Sequence, residues 1–326
     1  PISMGAGMDD AVNSLAVLPN GELVAGGLFT TADGVSSGGI ARWDGTSWLP
    51  LGSGLNMAPG ARGYVNTLAV LPGGDLVAGG GYWSANGGRV NRVVRWDGAM
   101  WSVLGADMDD FIYALAVLPD GNLVAGGSFR FTGGVSTRYI ARWDGSSWSA
   151  FGGGMGNYVA ALVVDADGSL LAGGAFTTAG AVSASHIARW NGASWSSFGA
   201  GTNESSFVYD LAVLPNGDLV AGGSFFLAGD KSVANIARWS GTSWNALCEG
   251  INGDIHALTL LPNEDLVVGG AFTTIGGVSA SCIARWDGSS WFALGGGTSS
   301  IVRALVVLPN GDLVAGGSFL TAGGVS

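Results

Sequence analysis

Between Phe111 and Gly154 the chain passes through four short apolar stretches, FIYALAVL, NLVAGGSF, YIARWD and SWSAFG. Each is rich in β-branched, aromatic or small apolar residues. The polar turn LPDGN joins the first two and DGSS joins the last two, which predicts antiparallel hairpins. No stretch carries helical spacing. The pattern then recurs: the leucine that opens LAVLP or its variants stands at Leu15, Leu68, Leu115, Leu162, Leu211, Leu258 and Leu305, with spacings of 53, 47, 47, 49, 47 and 47. A period of this size belongs to solenoids and propellers. Four-stranded antiparallel units repeated radially predict an all-β propeller, a single domain over 1–326, because closure into a ring hides most sheet edges.

Seven copies predict seven blades. The opening PISMGAG aligns with WFALGGG at Trp291 to Gly297 and is expected to supply a fourth strand to the last blade. The closing GGVS aligns with Gly276 to Ser279, so positions matching Ala280 to Ser290, the third strand, are not represented. The simplest expectation is a seven-bladed ring whose last blade is closed by the N-terminal strand and lacks its third strand. The chain would then be a fragment of a longer protein; an array continuing into further blades is the rival.

The Gly-Gly doublet ending the second strand (Gly26-Gly27, Gly126-Gly127, Gly269-Gly270) resembles the kelch pattern. So does the aromatic residue of strand three followed by a Trp opening strand four, although the spacing between those aromatics is shorter than in kelch repeats. The chain is more similar still to bacterial propeller repeats with LPNGDLVAGG…F cores, including the Delta-60 type. That resemblance covers the whole chain. It implies a fold and little about activity, since propellers host lectins, hydrolases, lyases and interaction domains alike.

Composition narrows the classes. With 48% hydrophobic residues and regular spacing, the 59 glycines do not signal disorder. No apolar run is long enough to span a membrane as a helix. A net charge of −11 disfavours broad contact with nucleic acid or anionic membranes. Cys248 and Cys282 occupy non-equivalent repeat positions, so no disulfide framework is implied. The first residues already lie within the repeat and show no signal peptide, and an extracellular or bacterial cell-surface location is the working expectation. Oligomeric state is left open.

Repeated residues belong to the scaffold. Twelve of the 13 tryptophans fall in pairs of the WDGSSW type, and large flat side chains at one register fill space between sheets. Arg42, Arg95, Arg142, Arg189, Arg238 and Arg285 recur once per unit and are expected to bond carboxylates or turn carbonyls. The glycine doublets permit close packing of blades and precede no helix, so they are not phosphate loops.

The turns joining strands one to two and three to four are short and uniform. The second-to-third and blade-to-blade loops, on the other face, carry most of the variation, including NMAPGARGY near 56–64 and TNESSF. Loops varied on a fixed frame are where recognition resides. At the entrance of each first strand, the fourth residue before the repeat leucine reads Ala11, Tyr64, Phe111, Tyr158, Phe207, Asp254, Ile301. The second residue before it reads Asn13, Asn66, Tyr113, Ala160, Tyr209, His256, Arg303. Tyr64, Phe111, Tyr113, Tyr158, Phe207, Tyr209, His256 and Arg303 are therefore expected at the mouth of the central channel, as a ligand-accessible funnel or as a plug. A second cluster sets Arg62, Arg89, Arg92, Arg130 and Arg138 among Tyr82, Trp83, Phe131 and Tyr139, a candidate contact for an acidic glycan or protein. Solvated loop arginines are the plainer alternative.

No metal or cofactor is implied: two His and two Cys cannot furnish several zinc sites, and no P-loop, dinucleotide or nucleophile-elbow signature is present. DADGS at Asp165 to Ser169 has a calcium-loop flavour but replaces an ordinary LPNGD turn. The acidic pairs after Met8 and Met108 fit a weak ion site or solubility. The reading favours a non-catalytic extracellular module recognising a glycan or protein. An enzyme, a polysaccharide lyase or hydrolase, would use His256, Tyr209 and Tyr113 as base and acid, with Arg303 neutralising a uronate. A purely structural spacer is the third reading.

Overall fold

A computed structural model of the protein describes residues 3–55, 64–81, 92–203, 206–248 and 250–325. Blade one joins Val12–Val17, Leu23–Gly27, Ile40–Trp43 and Trp48–Pro50 in sequence order. Five more four-stranded sheets repeat it, with inner strands Val65–Val70, Ile112–Val117, Val159–Val164, Phe207–Val213 and Ile255–Leu260. The last repeat forms only a two-stranded sheet, Val302–Val307 with Leu313–Gly317.

The expectation of seven blades is thereby corrected to six four-stranded blades. A third strand is what the outer edge of Leu313–Gly317 needs, and no described segment pairs there. The N-terminal segment does not close that sheet either. Its described part packs against blade one: the Met4 carbonyl accepts the Trp48 indole N–H at 2.8 Å, the bond that the Leu51 and Leu104 carbonyls make to the tryptophans of blades two and three, and the Ala6 and Gly7 amides donate to Asp33 Oδ1.

The ring still meets itself. In blade three a Cβ on Gly126 would lie 2.6 Å from Cγ1 of Val159 in the next inner strand, and the same contact joins Gly173 to Val208 and Gly222 to Ile255. Gly316 of the two-stranded sheet meets Val12 of blade one in the same way, at 2.6 Å. The first glycine of each doublet is thus the slot for a β-branched side chain of the following unit. Every second strand of the six blades is buried from its first leucine through its second glycine, as expected where both faces of a sheet are covered.

The tryptophan pairs are scaffold. The second of each pair is buried, and in most units its indole N–H crosses to the preceding blade: Trp101 to Leu51 O at 3.0 Å, Trp148 to Leu104 O at 2.7 Å, Trp244 to Phe198 O at 2.8 Å; that of Trp195 meets no acceptor among the described residues. The repeated arginines pair with an acid of the first turn: the residue that closes it, as in Arg95–Asp75 and Arg285–Asp265, both at 2.5 Å, or the one two places earlier, as in Arg142–Asp120. Asp167 of DADGS serves Arg189 in that role. Partly exposed pairs of this kind contribute at most about 1 kcal/mol each. The buried indole bonds matter more. Trp148→Phe is expected to lower unfolding free energy by roughly 2 kcal/mol, from a lost bond and an orphaned carbonyl. Urea unfolding measures it; the exposed Ser149→Ala serves as control.

Candidate functional site

The inner strands carry the site because each is bulged at its entrance. In blade one Val12 pairs with Gly27 and Ser14 with Gly26, so Asn13 is the extra residue. The same slip leaves out Asn66, Tyr113, Ala160, Tyr209, His256 and Arg303 in the following units. These are the variable positions singled out by sequence, and a bulge re-aims the side chain it displaces. The second glycine of each doublet makes the bulge possible. A Cβ on Gly127, Gly174 or Gly223 would collide with the carbonyl oxygen of Phe111, Tyr158 or Phe207, respectively.

Seven of the eight mouth residues form one unbroken series of rings. Tyr64 lies 5.5 Å from Phe111, and Phe111 is 6.3 Å from Tyr113. Tyr113 stands 6.0 Å from Tyr158, which is 6.0 Å from Phe207. Phe207 lies 6.1 Å from Tyr209, which is 5.0 Å from His256. The arc crosses blades two to six, and all seven residues are half-buried rather than sealed between sheets. Neighbouring rings at such separations attract one another. Arg303 follows in the next unit, its Nε donating to Ser318 Oγ at 3.1 Å. Around the rest of the circle Asn13 and Asn66 donate to the carbonyls of Val65 and Ile112, and Ala11 is buried.

Electrostatics sharpen one end of the arc. Burial, Arg303 and the partly offsetting Asp254 together hold the His256 pKa below its ordinary value, so the ring is neutral at pH 7. Burial pushes the Tyr158 phenol up to about 12, with Tyr209 and Tyr113 adding to the effect. Tyr209 is raised by burial and by Asp254. Both phenols therefore remain hydrogen-bond donors at neutral pH.

Asp210, one residue beyond the bulge of blade five, was not foreseen. The other units have Ser, Thr or Ala there, and that departure was the available signal. Its Oδ2 accepts the Leu258 amide of blade six at 2.7 Å and its Oδ1 accepts the Leu211 amide at 2.8 Å. Part of the residue's surface is open, yet the carboxyl is closely surrounded by protein, and burial raises its pKa to about 7 against the lowering effect of those two bonds. The native state thus keeps a proton that the unfolded chain has released. Stability from this group is accordingly lost as pH rises from the ordinary carboxylate range through about 7. The melting temperature of the wild type is expected to fall over that window relative to Asp210→Asn, and parallel pH profiles of the two would contradict the assignment.

In the second cluster, Arg62, Tyr82, Trp83 and Arg89 lie outside the described residues. Arg92 is buried: its Nε and Nη2 donate to the carbonyls of Met108 and Asp109, and its guanidinium lies 5.1 Å from the Phe111 ring centroid. It thereby ties the cluster to the aromatic arc. Arg130 donates to the Tyr139 hydroxyl at 2.9 Å, Phe131 beside it is exposed, and Arg138 has no ion pair among the described residues.

The face bearing these groups is more regular than its sequence variation suggests. Five second-to-third loops contain a small hairpin such as Phe131–Thr132 with Val135–Ser136. Asp9 and Asp109 cap two of these loops through backbone amides, which accounts for the first acid of each acidic pair. The other histidine, His186, is buried with Nδ1 2.9 Å from Thr202 Oγ1. Among the described residues no three His, Cys, Asp or Glu side chains gather into a metal-binding group.

Fold and repeat together define a β-propeller repeat protein. A family profile described as "Domain of unknown function (DUF5122) beta-propeller" matches residues 18–43, 118–144 and 166–192. No curated protein matches the chain. Among solved structures, it resembles an extracellular domain described as that of a hybrid two component system, BT4673, from B. thetaiotaomicron. The TM-score is 0.63 at 13% identity, covering 98% of this chain and 38% of that one. The WD40 propeller domain of Doa1 gives 0.62 at 16% identity, covering 97% and 92%. Virginiamycin B lyase from Staphylococcus aureus gives 0.60 at 12%, covering 97% of each chain. Likenesses at these identities show the fold alone. No helix among the described residues is long and apolar enough to cross a membrane.

Proposed function

We propose that the protein is a non-catalytic binding propeller of the Delta-60-like bacterial type, acting outside the cell and taking a glycan at the channel mouth. The observation that carries this reading is the arc of seven half-buried rings from Tyr64 to His256, built from positions that escape the repeat. Repetition alone would place the same residue in every unit. Here the scaffold is uniform and the aromatic residues gather in blades two to six. Such a wall, edged by phenol hydroxyls, Asn13, Asn66 and Arg303, combines apolar contact with a few orienting polar groups. The extracellular placement draws support from the similarity to an extracellular domain. The test is a glycan array followed by calorimetry on the best oligosaccharide. Saturable one-to-one binding supports the reading, and the absence of any glycan ligand contradicts it.

One observation favours a second reading, a polysaccharide lyase. A neutral His256 beside Tyr209, near Arg303, has the components of proton abstraction next to a carboxylate. Against it, no hydrogen bond from a described residue orients the His256 ring, as a general base requires. Ultraviolet absorbance from unsaturated uronates, lost in His256→Ala, would establish this alternative.

A further inference from the structure

Two opposite charges flank the last ring of the arc. Asp254 lies two residues before His256, and Arg303 is the bulge residue of the neighbouring inner strand. Asp254 raises the His256 pKa and Arg303 lowers it, so both charges lie close to that ring. Both residues are partly open to solvent. They form no ion pair with each other or with any other described residue. The six scaffold arginines differ in this respect, since each holds an acid.

The ring itself places Arg303. Its strand, Val302–Val307, lies between the inner strands of blades six and one and pairs with Leu313–Gly317. The Arg303 Nε donates to Ser318 Oγ at 3.1 Å, a neutral acceptor that steadies the planar head and leaves its charge uncompensated. The two terminal nitrogens donate to no described residue, and such a pair matches the two oxygens of a carboxylate. Around it the mouth is rich in donors. Tyr158 and Tyr209 keep their hydroxyl protons at neutral pH, and the neutral His256 carries one N–H. The chain as a whole carries −11, which repels anions at long range, so a preference for an anion at this place has to be local.

We infer that the mouth selects an acidic glycan, in which the carboxylate of a uronic acid unit meets Arg303 while hydroxyls of the same unit donate to Asp254. The inference rests on the glycan reading of the arc and adds the class of sugar. A neutral unit seated here would cover a guanidinium without giving it a counter-charge, which costs binding energy. The planar carboxylate fits the planar guanidinium, and Asp254 on the other side of His256 turns the anion towards Arg303 by repulsion.

The test titrates tetrasaccharides of galacturonate, of mannuronate and of alternating glucuronate and N-acetylglucosamine into the full chain by calorimetry, each beside its carboxyl-reduced form at the same salt. For at least one of them the acid form should bind at least about tenfold more tightly than the reduced form, in line with a charge-assisted pair. Arg303→Gln should bind both forms alike, and Arg303→Lys should keep part of the preference. Asp254→Ala should weaken the acid form through lost hydroxyl contacts; tighter binding would remove Asp254 from the contact. Unchanged melting temperatures separate these effects from misfolding. Three results overturn the inference and leave the glycan reading standing: equal affinity for acid and reduced forms in every pair, a preference that persists in Arg303→Gln, or tighter binding of a sulfated neutral tetrasaccharide than of any uronate. If no glycan binds, acidic or neutral, both fall together.

Discussion

Tyr158→Ala should weaken binding of the cognate oligosaccharide by at least about thirtyfold, or ~2 kcal/mol, the usual range for a central aromatic anchor. Tyr158 is the middle ring of the arc, with Tyr113 and Phe207 each 6.0 Å away, so its removal breaks the apolar wall in two. Tyr158→Phe keeps the ring and loses only the hydroxyl, and less than about fivefold is expected if that hydroxyl forms one neutral hydrogen bond. Ser149→Ala, on the outer strand of blade three, should leave affinity unchanged. Isothermal titration of the three variants separates the contributions. Equal affinities for Tyr158→Ala and wild type would remove the arc from the binding account. A melting temperature measured alongside guards against a loss caused by unfolding.

The largest stability effect is expected at Gly223. A Cβ there would overlap the Phe207 carbonyl oxygen, which is backbone and cannot rotate away. Gly223→Ala must therefore displace the bulge of blade five and with it Tyr209. A loss of roughly 3 kcal/mol or more is expected, typical of strain imposed within a packed core. The matched control is Gly217→Ala in the same blade. Gly217 has φ of +84° with open space around its Cβ, so only left-handed strain of about 1 kcal/mol applies. Chemical denaturation should rank the two in that order. If both cost the same, the close approach would not govern the bulge.

The repeat made much of the fold legible, because period, turn signals and apolar runs all come from local sequence. Four strands per blade, the tryptophan scaffold and the arginine–acid pairs follow from them. Closure was misjudged for a physical reason. The absent third strand of the last repeat was legible, but counting repeat leucines counts inner strands and not blades, and the N-terminal segment expected to close that sheet pairs with neither of its two strands among the described residues. The variable positions at the mouth were legible as exceptions to the consensus. What placed them together was not, since the bulge at Asn13, Tyr113 or Tyr209 depends on a glycine carrying no Cβ a dozen or so residues later in the chain. Asp210 escaped notice because its partner, the Leu258 amide, belongs to another blade. Arg92 shows the opposite limit: a loop cation in sequence turns out to be buried on backbone carbonyls.

Tyrosine carries the most direct test of the central proposal, since four of the six tyrosines, Tyr64, Tyr113, Tyr158 and Tyr209, sit in the arc. Carbon-13 labelling of tyrosine rings, followed by NMR titration with the oligosaccharide selected on the array, reads them individually. The account predicts saturable shifts of those four signals with the indole N–H signals of the scaffold tryptophans unmoved. A ligand that binds while leaving all four unperturbed would contradict it.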